Sequence, residues 1–109
     1  MKIGNFDLNK DGTLIIAELS ANHNGNLQNA LDTIEAAKEI GANVIKLQTY
    51  TADTLTLDCG KEDFIIKGGT LWDGKTMHDL YKDAYTPWEW HKELFEYARE
   101  IGIDIFSSP

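Results

Sequence analysis

The sequence is short of cysteine, of basic side chains and of long apolar runs. Cys59 is the only cysteine, so no disulfide can form within the chain, and a reducing cytoplasm is the expected location. Ten basic residues stand against 18 acidic ones, a net charge of −8 with no basic cluster. That balance argues against nucleic acid and against an anionic membrane surface as partners. No stretch approaches the roughly 18 consecutive apolar residues of a membrane-spanning helix. The N-terminus, Met1-Lys2-Ile3-Gly4-Asn5-Phe6-Asp7, has no apolar segment of the kind a secretory signal carries. A nucleophile elbow, a Walker loop and a G-x-G-x-x-G turn are all missing. What remains is 42 % hydrophobic and 26 % charged, the composition of a globular chain and too apolar for a disordered one.

The order of elements narrows the fold. Leu14 to Leu19 is a short apolar run after the turn-forming pair Asp11-Gly12, and reads as a strand. Leu27, Ala30, Leu31, Ile34, Ala37 and Ile40 recur at helical spacing, with Asn24 or Asn26 as cap and Gly41 as stop. Asn43 to Tyr50 is a second strand. From Thr51 to Tyr85 no period holds, apart from a short helix near Met77 to Asp83, and a loop of that length points to function. Thr86, Pro87 and Glu89 then form a capping-box start. His91, Leu94, Phe95, Ala98 and Ile101 give the buried stripe of that helix, Gly102 its end, and Ile103 to Ser107 a third strand. Strand, helix, strand, loop, helix, strand is the order of a parallel α/β sheet, either an open doubly wound one or the first third of a (β/α)8 barrel. One face of each strand turns polar toward its carboxyl end: Ile16, Glu18 and Ser20 on the first, Val44, Lys46 and Gln48 on the second. Barrel enzymes place their chemistry there, which favours the barrel. The third strand runs straight to Pro109, so the expectation is an incomplete N-terminal portion, residues 1–109, of a longer barrel domain.

The candidate sites follow from those faces. Asp7, Asn9, Asp11, Gly12 and Glu18 match the spacing of a calcium-binding loop. Such a loop needs a helix on either side, and the competing reading is a β-hairpin in which the Asp11-Gly12 turn joins residues 2–7 to residues 13–17. Glu18, inside an apolar strand, is either a catalytic carboxylate or the partner of Lys46 in a structural ion pair. Lys46 and Gln48, two residues apart, point the same way, an ammonium for a substrate anion beside a neutral donor and acceptor. Asn22 and His23, in the loop after the first strand, can bind a sugar or shape the turn. Ser108, in the pair Ser107-Ser108 that closes the third strand, can help cradle a phosphate. No second ligand stands at metal spacing from His23, while His78 and His91 read as loop and helix-face residues.

Three segments in register carry a resemblance. Ala17-Glu18-Leu19-Ser20-Ala21-Asn22-His23-Asn24-Gly25, Gly41-Ala42-Asn43-Val44-Ile45-Lys46-Leu47-Gln48-Thr49-Tyr50 and Phe106-Ser107-Ser108-Pro109 resemble the sialic acid synthase family. Its patterns are A-E-x-x-x-N-H-x-G, G-A-x-x-x-K-x-Q-T and F-S-[ST]-P. Glu62 to Gly69, Leu71 to Gly74 and Thr86 to His91 look like the branch that makes pseudaminic acid. The resemblance implies a (β/α)8 barrel followed by a small antifreeze-like domain, in a homodimer, neither completed within this chain. It implies condensation of phosphoenolpyruvate with an amino-sugar aldehyde, here 2,4-diacetamido-2,4,6-trideoxy-altrose, with release of phosphate. The neuraminic and legionaminic acid branches are the alternatives. Manganese or magnesium is implied as Lewis acid, its histidine ligands on later strands and so no metal ligand in this chain. By the same matching, Glu18 is the active-site glutamate, Lys46 meets phosphoenolpyruvate, Gln48 lies near the sugar and Ser108 stands on the phosphate side. Asn22 and His23 take a sugar-side or loop-shaping role. One departure is His78, where the branch pattern leads to tyrosine, and it bears on sugar preference.

Overall fold

The computed structural model describes residues 1–69 and 71–109. Its centre is a three-stranded parallel sheet in the order β3 (Ile16–Glu18), β4 (Val44–Gln48), β5 (Asp104–Ser108). The register pairs Ile16 with Val44 and Glu18 with Lys46, then Lys46 with Phe106 and Gln48 with Ser108. Parallel neighbours need long crossovers. Helix α1 (Leu27–Glu39) provides the first, and a long segment ending in α4 (His91–Ile101) the second.

Helix α1 forms where expected. The Asn26 side chain accepts the Asn29 N–H at its start, and Ala30, Ile34 and Ala37 are buried. Ile40 departs from the expected stripe: it is the C-cap residue and 84 % exposed, because the helix has ended and Gly41 turns the chain at φ +95°. Helix α4 stops at Gly102, which adopts a left-handed conformation that a side chain would strain. Its start corrects the sequence reading. Thr86 is buried, donates its N–H to the Gln48 carbonyl at 2.6 Å and does not cap the helix. A 3₁₀ turn, Trp88–Trp90, comes between Pro87 and α4. The strand end has taken the backbone donor that the capping box would have used.

Helices α1 and α4 cover one face of the sheet. Leu19, Ile34, Ile45, Leu47 and Leu94 are fully buried between them. Burial of side chains this size contributes about 1.5–3 kcal/mol each. The opposite face carries Ile16 and Glu18, then Val44, Lys46 and Gln48, then Asp104, Phe106 and Ser108. Ile16 is 45 % exposed and Phe106 40 %, so helices cover the sheet on one side only.

The N-terminal hairpin exists, with a different turn. Strands β1 (Lys2–Ile3) and β2 (Phe6–Asp7) pair antiparallel around Gly4-Asn5, not around Asp11-Gly12. Gly4 sits at φ +57° directly against the Asp104 side chain, leaving no room for a Cβ, and the Asn5 N–H donates to Asp104 Oδ2 at 3.0 Å. The hairpin is thereby fastened to the first residue of β5, at the amino end of the sheet. Asp7 and Asp11 spend their carboxylates on the local turn, accepting the N–H groups of Asn9 and Asp7 respectively. Short strands, not helices, flank this turn, and Glu18 points elsewhere, so the calcium-loop reading does not fit.

The segment from 51 to 85 is more ordered than its sequence suggests. It contains α2 (Ala52–Leu55), a 3₁₀ turn at Glu62–Phe64, a bridge between Ile65 and Thr76, and α3 (Met77–Ala84) capped by Thr76. His78 is buried where α3 meets α2, with Nε2 2.6 Å from Asp53 Oδ1 and Nδ1 3.8 Å from Asp58 Oδ1. Aperiodic sequence hid a fold made by such side-chain ties.

Candidate functional site

The carboxyl ends of β3, β4 and β5 bring the predicted polar residues together on the uncovered face. The Glu18–Lys46 register sets the two side by side, with Lys46 Nζ 3.4 Å from Glu18 Oε1. Gln48, one side-chain step further along β4, donates Nε2–H to the same oxygen at 2.5 Å. Its Oε1 accepts the Tyr50 hydroxyl at 2.8 Å, which fixes the orientation of the amide. Glu18 thus accepts from both a cation and an amide. The Gln48 hydrogen bond, followed by those from Lys46 and Ser20, holds its carboxyl below the usual value of 4.5 against the opposing effect of burial. It is ionised at neutral pH. Neither side chain is sealed from solvent: Glu18 is 42 % and Lys46 30 % exposed. A half-open ion pair of this kind adds little to stability. It leaves both groups within reach of a ligand.

Ser108 stands beside Gln48 in the register, on the same face, and its hydroxyl reaches the Leu47 carbonyl at 3.4 Å. Asn22 is tied to the end of β3, its Nδ2 donating to the Leu19 carbonyl at 2.9 Å. His23 is only 1 % exposed, with Nδ1 accepting the Gly25 N–H at 2.9 Å and its ring edge-on to Trp90 at 5.2 Å. Burial lowers its pKa below 6.5, while the backbone of Ala84 and Tyr85 pulls the other way. Its burial, the Gly25 N–H and the Trp90 ring tie His23 into the loop after β3.

Sequence reasoning gave Tyr50 and Thr49 no site role and read His91 as a helix-face residue. Tyr50 extends the Gln48 contact to α3 through an edge-to-face pair with Tyr81 at 5.5 Å. Burial, with Tyr81 and Glu18 nearby, raises its phenol pKa, so it is a hydrogen-bond donor at neutral pH. Its position two residues after Gln48 was the available signal, since alternation puts both on one side. Thr49 Oγ1 lies 2.9 Å from His91 Nε2 and within hydrogen-bond reach of the Ser107 hydroxyl. That link spans three elements, and no spacing rule reveals it. Among the described residues no group of three His, Cys, Asp or Glu side chains could hold a metal ion.

A parallel βα unit with an acid, an amine, an amide and a hydroxyl at its carboxyl strand ends defines a class, and the chain belongs to the NeuB family, whose model matches residues 33–109. It is 59 % identical over all 109 residues to pseudaminic acid synthase of Campylobacter jejuni serotype O:2, covering 31 % of that protein. Against pseudaminic acid synthase of Helicobacter pylori it is 54 % identical over 95 residues, 87 % of this chain and 28 % of the relative. Among solved structures, the N-acetylneuraminic acid synthetase of Leptospira borgpetersenii, in complex with citrate, superposes with a TM-score of 0.71 at 25 % identity. That match covers the whole of this chain and 33 % of the other. The chain therefore spans about a third of the length of these relatives. Among the described residues, no helix is long and apolar enough to cross a membrane.

Proposed function

We propose that this chain supplies the first three strands of a (β/α)8 synthase barrel that condenses phosphoenolpyruvate with 2,4-diacetamido-2,4,6-trideoxy-altrose to give pseudaminic acid and phosphate. The observation that carries the reading is the convergence of Glu18, Lys46 and Gln48 on one uncovered face at the carboxyl strand ends. A barrel explains why that face lacks helices: it would be the interior, closed by further strands. The 59 % identity to a pseudaminic acid synthase supports this sugar over those of the neuraminic and legionaminic branches.

In this reading the enol carbon attacks the aldehyde carbon, water adds to the oxocarbenium-like centre that results, and phosphate leaves with cleavage of its C–O bond. Lys46 is the cation for the phosphorylated enol, and Ser108 a hydroxyl on the phosphate side. Glu18, ionised and anchored by Gln48, faces the reacting centre, where a carboxylate can orient a hydroxyl or hold a proton. Gln48, locked by Tyr50, presents its amide toward the sugar. A divalent metal would supply Lewis-acid polarisation of the aldehyde oxygen from ligands beyond this set of residues, and none of these four roles passes through it.

The test is phosphate release by the full-length synthase carrying this segment, given phosphoenolpyruvate, manganese and each amino sugar in turn. The altrose derivative should be the preferred acceptor. Preference for N-acetylmannosamine or for the legionaminic precursor would move the protein to another branch, and failure to use phosphoenolpyruvate would reject the reading. The 109-residue segment alone should be inactive, because three strands leave two open edges and an uncovered core face.

A further inference from the structure

Behind the site, on the helix-covered side of the sheet, a chain of side chains leads from α4 to the carboxyl end of β5. His91 Nδ1 lies 3.1 Å from the Trp88 carbonyl, which can only accept, so Nδ1 carries the proton. In the neutral ring Nε2 is then an acceptor, and it faces the Thr49 hydroxyl at 2.9 Å. With its own proton given to His91, the Thr49 oxygen accepts from the Ser107 hydroxyl, so in this arrangement the donation ends on Ser107, whose oxygen lies 3.0 Å from the Ser108 carbonyl and has no second proton for it. The same carbonyl accepts the Thr49 N–H at 3.1 Å. Trp88 Nε1 donates to the Thr49 carbonyl at 2.6 Å, so the turn before α4 grips β4 from the other direction as well. The His91 ring is itself held against Phe95, stacked at 5.9 Å. None of these groups other than Ser108 lies on the site face: Thr49 and Ser107 alternate with Gln48 and Ser108 and fall on the side of Leu47.

We propose that His91 is a positioning residue which, acting through Thr49 and Ser107, sets the backbone of Ser108 and so the placement of its hydroxyl beside Gln48. The inference rests on the functional reading above, which puts Ser108 on the phosphate side of phosphoenolpyruvate. The strand end needs such support because Ser108's own hydroxyl makes only a long contact, to Leu47, and cannot fix its position by itself. The side-chain links act in series: breaking any one of them releases the Ser107 hydroxyl next to Ser108, while the backbone bond from the Thr49 N–H to the Ser108 carbonyl remains.

The experiment uses the full-length synthase carrying this segment, with His91→Ala, Thr49→Val, Thr49→Ser and the double variant His91→Ala/Thr49→Val. Thr49→Val keeps the shape of the side chain and deletes only its hydroxyl, so it stands even where His91→Ala fails to fold. Each single loss should raise the KM for phosphoenolpyruvate about tenfold, the effect of one lost buried hydrogen bond. The KM for the amino sugar should move less than twofold. The double variant should be no worse than the poorer single one, and Thr49→Ser should restore the KM. A merely structural role would instead lower the melting temperature and shift both substrates together. Unmoved phosphoenolpyruvate KM in Thr49→Val, multiplying effects in the double variant, or equal effects on the two substrates overturns the proposal while the functional reading stands. A wild-type enzyme that does not consume phosphoenolpyruvate overturns both.

Discussion

Replacing Lys46 by methionine removes a charge and keeps most of the side chain's stem. Two effects can be separated by size. Lys46 loses its pair with Glu18, a contact at 3.4 Å between groups that are 30 % and 42 % exposed. At 4 Å such a pair has a Coulomb energy between about 1 kcal/mol in water and about 4 kcal/mol at an effective dielectric near 20. Side-chain ordering and screening reduce the net worth of exposed pairs to about 0.2–1 kcal/mol. Glu18 also keeps its hydrogen bond from Gln48, so its carboxylate is not stranded. The fold should therefore lose less than about 1 kcal/mol. A phosphorylated enol bound to Lys46 is different, since a hydrogen bond to a charged group is worth about 1.5–3 kcal/mol. Its loss should lower kcat/KM for phosphoenolpyruvate by about 10- to 150-fold. Steady-state phosphate release, beside a thermal melt of the same preparation, measures both quantities. A kcat/KM within twofold of wild type would remove Lys46 from the site. A large fall in melting temperature with intact kcat/KM would make it a structural ion-pair residue instead.

Glu18→Gln should fold normally and lose turnover by about 10²- to 10⁴-fold, the range for a carboxylate that handles a proton; loss of stability with turnover intact would assign Glu18 to the ion pair alone. Its folded pKa is depressed, so any stability it contributes is present above pH 4.5 and disappears as pH falls through the folded value, and Glu18→Gln should lack that acid-side loss in a pH series of melts. His23 is also depressed, but as a base: below pH 6.5 the unfolded chain takes up a proton that the buried ring resists, so stability declines as pH falls from 7. The slope from this one group is at most about 1.4 kcal/mol per pH unit, and His23→Asn, which can still accept the Gly25 N–H, should flatten the curve. Leu94→Ala empties a fully buried position between the helices and the sheet and should cost about 2–5 kcal/mol by denaturant titration.

Helix α1, the three parallel strands and the polar side of β3 and β4 were legible in the residues alone, because apolar spacing and alternation are local properties of the chain. Alternation put Lys46 and Gln48 on one face without reference to any other element, and it extends to Tyr50 by the same rule. The hairpin turn was misplaced because Asp11-Gly12 is a good turn on its own terms. Only the packing of Gly4 against Asp104, a residue 100 positions away, shows which glycine the fold needs flexible. Thr86 looked like a cap until the Gln48 carbonyl claimed its N–H.

The sequence by itself determined the pattern: which residues are apolar, at what period, and therefore which side chains emerge together from a strand. Tertiary structure alone decided that Gln48 joins Lys46 on the Glu18 carboxylate, that His23 is sealed inside, and that His91 reaches the end of β5 through two hydroxyls. Those outcomes depend on strand register and helix docking, which are settled by burial summed over the whole core and leave no mark in any short stretch of residues.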